Sequence, residues 1–546
     1  MKLYTLLICF FLTTIASAQK LIYHEAPDDP YLPIPKSERQ TSPAFNYKNA
    51  LITTVQVNTD ENGNNILNDA ANEPSIAIDP TDPNRIAIGW RQFDNVESNF
   101  RQAGNAFSED GGATWNNLIP IEAGIFRSDP VLDTDSEGNF YYNSLGVEYG
   151  FSCDVFKTAD PTNWNIKTFA QGGDKQWMAI DKTQTESDGN IYEVWNATFS
   201  ICEGEFTRSV DDGNSYEDCS FLSDRLRWGT IAVNGEGTVY TIGVDNNFSD
   251  DILLTYSENA KLRSETPIWQ DGIKVPFDGD VPFAEGPNPQ GLLGQFWVAT
   301  DNGSDLYEGY VYALGTMRAT GTRDPADIQF LRSLDGGDTW SIVTTVNDDA
   351  TNGWQWFGTM SVAPNGRIDV VWLDTREAPT TFMSALYYSA SFDGGESWTP
   401  NTRLSESFDP HLGWPNQNKM GDYYDMVSTD EGAHLAWAAT FNGEQDVYYS
   451  FISAEVDTPT EEVLVAQNTV TVFPNPTENL LHIRTESALG RPYEVELTDL
   501  SGQVRLSTTF RNNVQQIAVS QLPKGMYFLS LYYEGERVAV QKVIVQ

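Results

Sequence analysis

A turn of eight residues recurs along this chain and limits what the chain can fold into. It reads SEDGGATW from Ser108, SLDGGDTW from Ser333 and SFDGGESW from Ser391. A weaker copy, SVDDGNSY, starts at Ser209, and a degenerate one, TADPTNW, at Thr158. In each full copy the Asp can accept hydrogen bonds from turn amides, the glycines supply positive φ, and the Trp folds back as an apolar plug. A second repeat is a strand, a short turn and another strand. It appears as SIAIDPTDPNRIAIGW from Ser75, PVLDTDSEGNFYYNSL from Pro130, MAIDKTQTESDGNIYEVW from Met178 and TIAVNGEGTVYTIG from Thr230. It returns as FWVATDNGSDLYEGYVYALG from Phe296, TMSVAPNGRIDVVW from Thr359 and MVSTDEGAHLAW from Met426. Alternating apolar residues around a Gly or Asn turn mark antiparallel pairs. Copies lie roughly 50 to 70 residues apart, which is about one four-stranded sheet each.

The turn resembles the Asp-box, or BNR repeat, of sialidases and related propellers. The resemblance implies an all-β chain whose main body, residues 50–453, is a β-propeller. The seven copies of the second repeat predict seven blades, with six, the usual number in sialidases, as the alternative. The last blade lacks a clear fourth strand, and ALITTVQVN from Ala50 is expected to supply it and close the ring.

Residues 454–467 read as a polar linker, and residues 468–546 as a separate small β-sandwich. VFPNPTENLLHI, ELTDLSGQV, LPKGMYFLSL and a terminal KVIVQ follow one another there. Together they resemble the type A sorting domain of the type IX secretion system of Bacteroidetes. That resemblance implies export across the outer membrane, removal of the tail, and release or attachment at the surface. The secretion machinery is the implied partner.

The N-terminus agrees with export. Residues 1–18 read as a signal peptide, with Lys2, an apolar middle and Ala16-Ser17-Ala18 before the cleavage point. Residues 19–49 form an N-terminal extension. No other stretch reaches membrane-spanning length. Three cysteines remain in the mature chain, and Cys202 with Cys219, flanking one hairpin, is the favoured pair over any with Cys153. The chain carries 77 acidic and 33 basic side chains, a net charge of −44. Such a charge repels nucleic acid and anionic membrane, and an acidic polysaccharide would need a local basic patch. A monomer is expected.

In a propeller the starts of the innermost strands and the ends of the second strands open on the face that carries ligand. The starts here offer Glu73, Asp129, Gln176 with Trp177, Arg227 with Trp228, Trp356, and Asp422 with Tyr423 and Tyr424. The ends offer Trp90 with Arg91, Asp94, Glu148, Glu193, Asp245, Asp374 and Arg376. Aromatic planes stack on sugars, carboxylates bond hydroxyls or act as acid and base, and Arg forks grip carboxylate or sulfate. The plainer reading of the same residues is that they pair with one another and tie blades together.

In sialidases three arginines bind the substrate carboxylate, a Tyr assisted by a Glu is the nucleophile, and an Asp is the acid/base. The first Arg belongs to an Arg-Ile-Pro motif, and here that position reads NEPSIAI, with Glu73 before Pro74. By blade position the resemblance implies Asp94 as acid/base, Tyr423 or its neighbor Tyr424 as nucleophile and Glu193 as its helper. Arg91, Arg227 and Arg376 would bind substrate, with Trp177, Trp228 and Trp356 as platforms. Propeller polysaccharide lyases instead use a His or Tyr near an Arg, for which His411 is the better placed of the two propeller histidines, His434 reading as a packed strand residue. DTDSEGN from Asp133 resembles the start of a calcium loop but lacks its distal Glu and coincides with a hairpin turn. No cofactor is expected, with calcium the one open alternative. The reading is a protein acting on extracellular glycan, with glycoside hydrolysis as the expected reaction. The alternatives are a non-catalytic glycan-binding or adhesion propeller, and a polysaccharide lyase.

Overall fold

The computed structural model describes residues 29–35, 38–246, 251–304, 306–378 and 381–454 of the first part of the chain. In the last part it describes 471–477, 479–484, 493–499, 503–510, 514–533 and 536–546. The signal segment 1–18 and the linker, apart from Ala454, lie outside the described residues. The chain divides into two units, Met1–Ala454 and Glu455–Gln546.

The first unit is all-β and consistent with a propeller. Among its described residues, seven antiparallel sheets follow one another along the chain, beside a two-stranded pairing of Thr41–Pro43 with Asn64–Ile66. Three to five strands make up each sheet, and the first strands are Ala70–Ile78, Ser128–Thr134, Trp177–Ile180, Ile231–Val233, Trp297–Thr300, Gln355–Val362 and Asp425–Ser428. In the fourth sheet the short strand Leu226–Arg227 precedes the first strand and shares its partner, Val239–Asp245. Each first strand packs against that of the next sheet, and Asp425–Ser428 packs against Ala70–Ile78. Ile52–Gln56 pairs with Asp446–Ser453, so the seventh sheet takes strands from both ends of the unit.

One backbone device recurs where the chain enters the first strands. Glu73, Asp129, Lys175, Trp228, Gly294, Phe357 and Gly421 all have positive φ, one in each sheet. For a side-chain-bearing residue this conformation costs about 1–3 kcal/mol and is held only by its surroundings. At Gly421 the requirement is steric as well, because an added Cβ would press on Glu73 at 2.6 Å.

The repeated turns behave as their residues predict. Asp110 accepts hydrogen bonds from the Thr114 amide at 2.8 Å and the Thr114 hydroxyl at 2.6 Å, and the Trp115 indole donates to the Gly112 carbonyl at 3.1 Å. Asp335 and Thr339 repeat the carboxylate–amide bond at 2.8 Å, as do Asp393 with Ser397 and Asp211 with Ser215. Cys202 and Cys219 form a disulfide, and Cys153 is free and buried. The Asp135 carboxylate of the calcium-like segment is engaged by its own turn, accepting from the Asn139 amide at 2.8 Å and side chain at 2.7 Å.

In the second unit, Thr471–Phe473, Leu480–Arg484 and Val514–Ala518 form one sheet. Val504–Phe510, Tyr493–Asp499, Gly525–Tyr533 and Glu536–Val545 form another, and Leu481, Val495, Leu529 and Val543 sit in the shared core. Among the described residues no helix is long and apolar enough to cross a membrane.

Candidate functional site

The positive-φ residues turn side chains of several sheets toward one another. Their center is a buried ionic cluster. Lys175 Nζ lies 2.7 Å from Asp422, 3.3 Å from Asp129 and 3.7 Å from Asp174. Lys419 Nζ lies 2.6 Å from Asp422 and 3.7 Å from Glu73, and Arg91 Nε lies 3.0 Å from Glu73. All seven side chains are buried. Burial works against the charge on Asp129 and Asp422, yet Lys175 and the neighboring cations hold both below the usual carboxylate range. Glu73 moves the other way, because burial outweighs Arg91 and the nearby Asp129 and Asp422 add to it.

Near the cluster, aromatic rings of three sheets pack together. Trp177 meets Trp297 and Tyr423 edge-on, each at 5.2 Å between ring centers. Tyr423 is 1% exposed and donates its hydroxyl to the Pro130 carbonyl at 2.7 Å, which joins the seventh sheet to the second.

Beside the cluster lies a cavity of about 170 Å³. Asp174, Lys175, Lys419 and Asp422 contribute to its wall, and Arg227, Trp228 and Phe283 to another part. The Arg227 guanidinium stands 4.3 Å over the Trp228 ring, and Phe283 packs on that ring at 5.1 Å. Phe283 comes from the loop leading into the fifth sheet. That loop is anchored across the face, since Asn288 donates to the Gly421 carbonyl at 2.8 Å and the Leu292 amide donates to Asp422 at 2.8 Å. Asp174 and Asp422 therefore meet the cavity already engaged, Asp174 also accepting from Asn196 at 3.1 Å.

Of the residues singled out in the sequence, Arg227 and Trp228 are half-buried on this cavity. Trp177 and Tyr423 meet each other edge-on in the buried core. Arg91 is fully buried on Glu73 and Asn72, and Trp356 is fully buried with its indole donating to Ser384 at 3.2 Å. Glu193 is buried at the seam between the second and third sheets, accepts from Asn143 at 2.7 Å, and is pushed up to about 8 by burial. Arg376 lies elsewhere, bonded to Asp374 at 2.9 Å and Asp348 at 2.9 Å and standing 4.3 Å over Tyr387. Asp94 faces a different cavity and pairs with Arg39 at 3.2 Å. His411 packs against Trp414 at 4.8 Å, and His434 is a buried strand residue bonded to Tyr449 at 2.8 Å, with burial lowering it to about 4. Among the described residues, no group of three or more His, Cys, Asp or Glu is placed to hold a metal.

Lys175, Lys419 and Phe283 escaped the sequence reading. Lys175 occupies the same repeat position as Glu73 and Asp129, so stricter alignment of the strand starts finds it. Lys419 and Phe283 come from connecting segments, where the repeat gives no signal.

Residues 471–546 match the secretion system C-terminal sorting domain. The second unit is thus a sorting domain of the type IX system, which indicates a secreted or cell-surface protein. Comparison with curated proteins gives no match. Among solved structures, a protein of unknown function from Dyadobacter fermentans aligns at 13% identity, 73% of this chain, 97% of that chain and a TM-score of 0.42. An ulvan lyase of polysaccharide lyase family PL25 aligns at 10% identity, 71% and 94% coverage, and a TM-score of 0.42. The Trypanosoma rangeli sialidase aligns at 11% identity, 90% and 87% coverage, and a TM-score of 0.38.

Proposed function

We propose that the first unit is a seven-bladed propeller of the Asp-box kind that binds an anionic extracellular glycan in the cavity beside Arg227 and Trp228. The observation that carries this reading is the charge of the cavity wall. Arg227, Lys175 and Lys419 stand in the wall with Asp174 and Asp422, and Asp129 and Glu73 lie behind the two lysines, so the wall departs from the strongly acidic average of a chain of net charge −44. Such local relief from negative charge, with the Arg227 guanidinium on the wall, admits an anion that the rest of the surface repels. The Arg227 guanidinium can grip a uronate or sulfate through paired N–H donors, while Trp228 and Phe283 offer ring faces to the sugar.

Binding is favored over glycoside hydrolysis because the usual reaction needs two carboxyl groups open to substrate, and the sialidase variant needs an open Tyr, whereas Tyr423 is buried and donates to the Pro130 carbonyl. The cavity carboxylates are held by Lys175, Lys419 and Asn196. A lyase reading finds no support in His411, which is not part of the cavity wall.

The test is a glycan array probed with the secreted protein, then titration calorimetry and product analysis on each hit. Binding of uronate or sulfated oligosaccharides without cleavage, weakened in folded Arg227→Ala, supports the proposal. Unchanged affinity in Arg227→Ala overturns the site, and accumulation of cleaved product overturns the non-catalytic assignment.

A further inference from the structure

The cavity beside Arg227 and Trp228 has a third ring in its wall. Phe199 comes from the segment that joins the second and third strands of the third sheet, Ile191–Val194 and Phe206–Ser209. We infer that an apolar track leaves the cavity at Phe199 and runs to Tyr149 and Phe169, so that the ligand is an internal stretch of a polysaccharide chain and not a single terminal sugar. The inference rests on the proposed glycan reading of the Arg227 cavity and extends it.

The track passes from one side chain to the next. Phe199 meets Phe151 at 5.4 Å between ring centers. Ile201, from the same segment as Phe199, packs on Gly150, where an added Cβ would meet it at 2.8 Å. Tyr149, the adjoining residue, meets Phe169 edge-on at 6.2 Å. That pair lines a groove of about 540 Å³ together with Glu148, Asp154 and Lys167. Three consecutive sheets contribute in turn, the fourth through Trp228, the third through Phe199 and Ile201, and the second through Tyr149, Phe151 and Phe169.

These side chains are within reach of a ligand. Tyr149 is 67% exposed, Phe199 43%, Ile201 41% and Phe169 40%. Single exposed apolar residues are ordinary, whereas a contiguous set marks an interaction surface. The segment carrying Phe199 and Ile201 is also held in place. The Asp174 amide donates to the Phe199 carbonyl at 2.9 Å, the Ile201 amide to the Phe151 carbonyl at 3.0 Å, and the Ser200 hydroxyl to the Gly172 carbonyl at 2.7 Å. Cys202, the next residue, is fixed by its disulfide to Cys219. Phe199 itself has a φ of 63°, a conformation costly for a residue with a side chain. The fold thus spends strain and a cross-link on a segment that leaves its apolar side chains in water. Such a surface is pre-organized, and a ligand laid on it causes little further ordering.

A sugar chain suits this surface. Each pyranose presents an apolar C–H face to an aromatic ring and hydroxyls at its rim, and Glu148 beside the last pair can accept from those hydroxyls. An anionic unit at Arg227 sets the register, and the following units lie along the track. A second copy of this chain is the poorer occupant, because a net charge of −44 opposes self-association.

The test uses the intact secreted protein and size-fractionated oligogalacturonates and chondroitin sulfate oligosaccharides, from disaccharide to octasaccharide, titrated by calorimetry. Affinity should rise about tenfold along the series, the return of one or two ring contacts. The double variant Tyr149→Ala with Phe169→Ala should keep the disaccharide affinity and lose most of that gain. Both side chains are uncharged and exposed, so its melting temperature should match the wild type. Affinity that does not depend on length, or an undiminished gain in the double variant, overturns the track and leaves the Arg227 cavity standing. Absence of binding across both series, or binding unchanged by Arg227→Ala, overturns the cavity reading and the track with it. A dimer in sedimentation that dissociates in the double variant overturns the glycan assignment of the track in favor of self-association.

Discussion

Lys175 Nζ lies 2.7 Å from the carboxylate of Asp422, linking the third sheet to the seventh through the middle of the unit. The same ammonium reaches Asp129 of the second sheet at 3.3 Å. A single side chain thus connects two consecutive sheets with one that is distant in sequence. Lys175→Met removes the charge and leaves Asp129 and Asp422 buried without it. Breaking a buried pair from one side costs about 3–5 kcal/mol. Denaturant unfolding should register a loss of that size, and Lys175→Arg should recover only part of it.

Trp228 and Arg227 should separate by their response to salt. Loss of the ring in Trp228→Ala should cost about 1–2 kcal/mol of glycan binding and leave the salt dependence as it was. Arg227→Ala should cost about 1.5–3 kcal/mol and flatten the dependence on ionic strength. Calorimetric titrations at low and high salt would distinguish them, and equal salt slopes in both variants would contradict the assigned roles.

Glu193 makes stability depend on pH in a particular direction. Its carboxyl is pushed from an ordinary 4.5 to about 8 in the folded chain, chiefly by burial. Below the ordinary value both states hold the proton and the folded state loses nothing. As pH rises toward about 8 the unfolded chain gives up its proton more readily, and stability falls. Every tenfold difference in proton affinity between the two states is worth about 1.4 kcal/mol. Glu193→Gln should therefore melt higher than the wild type at pH 8 by more than it does at pH 5. Parallel melting-temperature differences at both values would count against it.

Gly112 sits in the first repeated turn with a φ of 86°, against the ring of Tyr449 from the seventh sheet. Alanine there must bear a left-handed backbone and a clash with that ring. The combined cost should be about 1–3 kcal/mol. Gly63, with a φ of 76° and open space around it, is the control. Gly63→Ala carries the backbone cost alone, so Gly112→Ala should be the more destabilizing of the two in thermal melts.

Export should leave a shortened protein. Mass spectrometry of the culture supernatant and surface fraction should find an N-terminus near Gln19 and no peptides from the sorting domain at 471–546. Recovery of full-length exported chain would contradict processing of the tail.

Local signals carried much of the architecture. The Asp and Gly positions of the turns, and the alternation in segments such as SIAIDPTDPNRIAIGW, identify hairpins without any long-range knowledge. The start of each first strand was legible too, because Glu73, Asp129, Arg227 with Trp228, and Asp422 align across the repeats. What failed to show was depth. Arg91, Trp356 and Tyr423 follow the same pattern as Arg227 and Trp228, yet they end up buried against Glu73, Ser384 and Trp177, contacts that the repeat pattern does not encode. Nor could the sequence place Asp94 beside Arg39, since the N-terminal segment that brings them together has no repeat to follow.

The pairing of Ile52–Gln56 with Asp446–Ser453 also orders events in time. Ile52 emerges from the ribosome long before Ile452, its partner in register. Until the later strand is made, the earlier one can pair only with Asn46–Lys48, and its other edge stays open. Contacts this distant in sequence form slowly. Synthesis must therefore run almost to the end of the first unit before Ile52–Gln56 can meet its long-range partner.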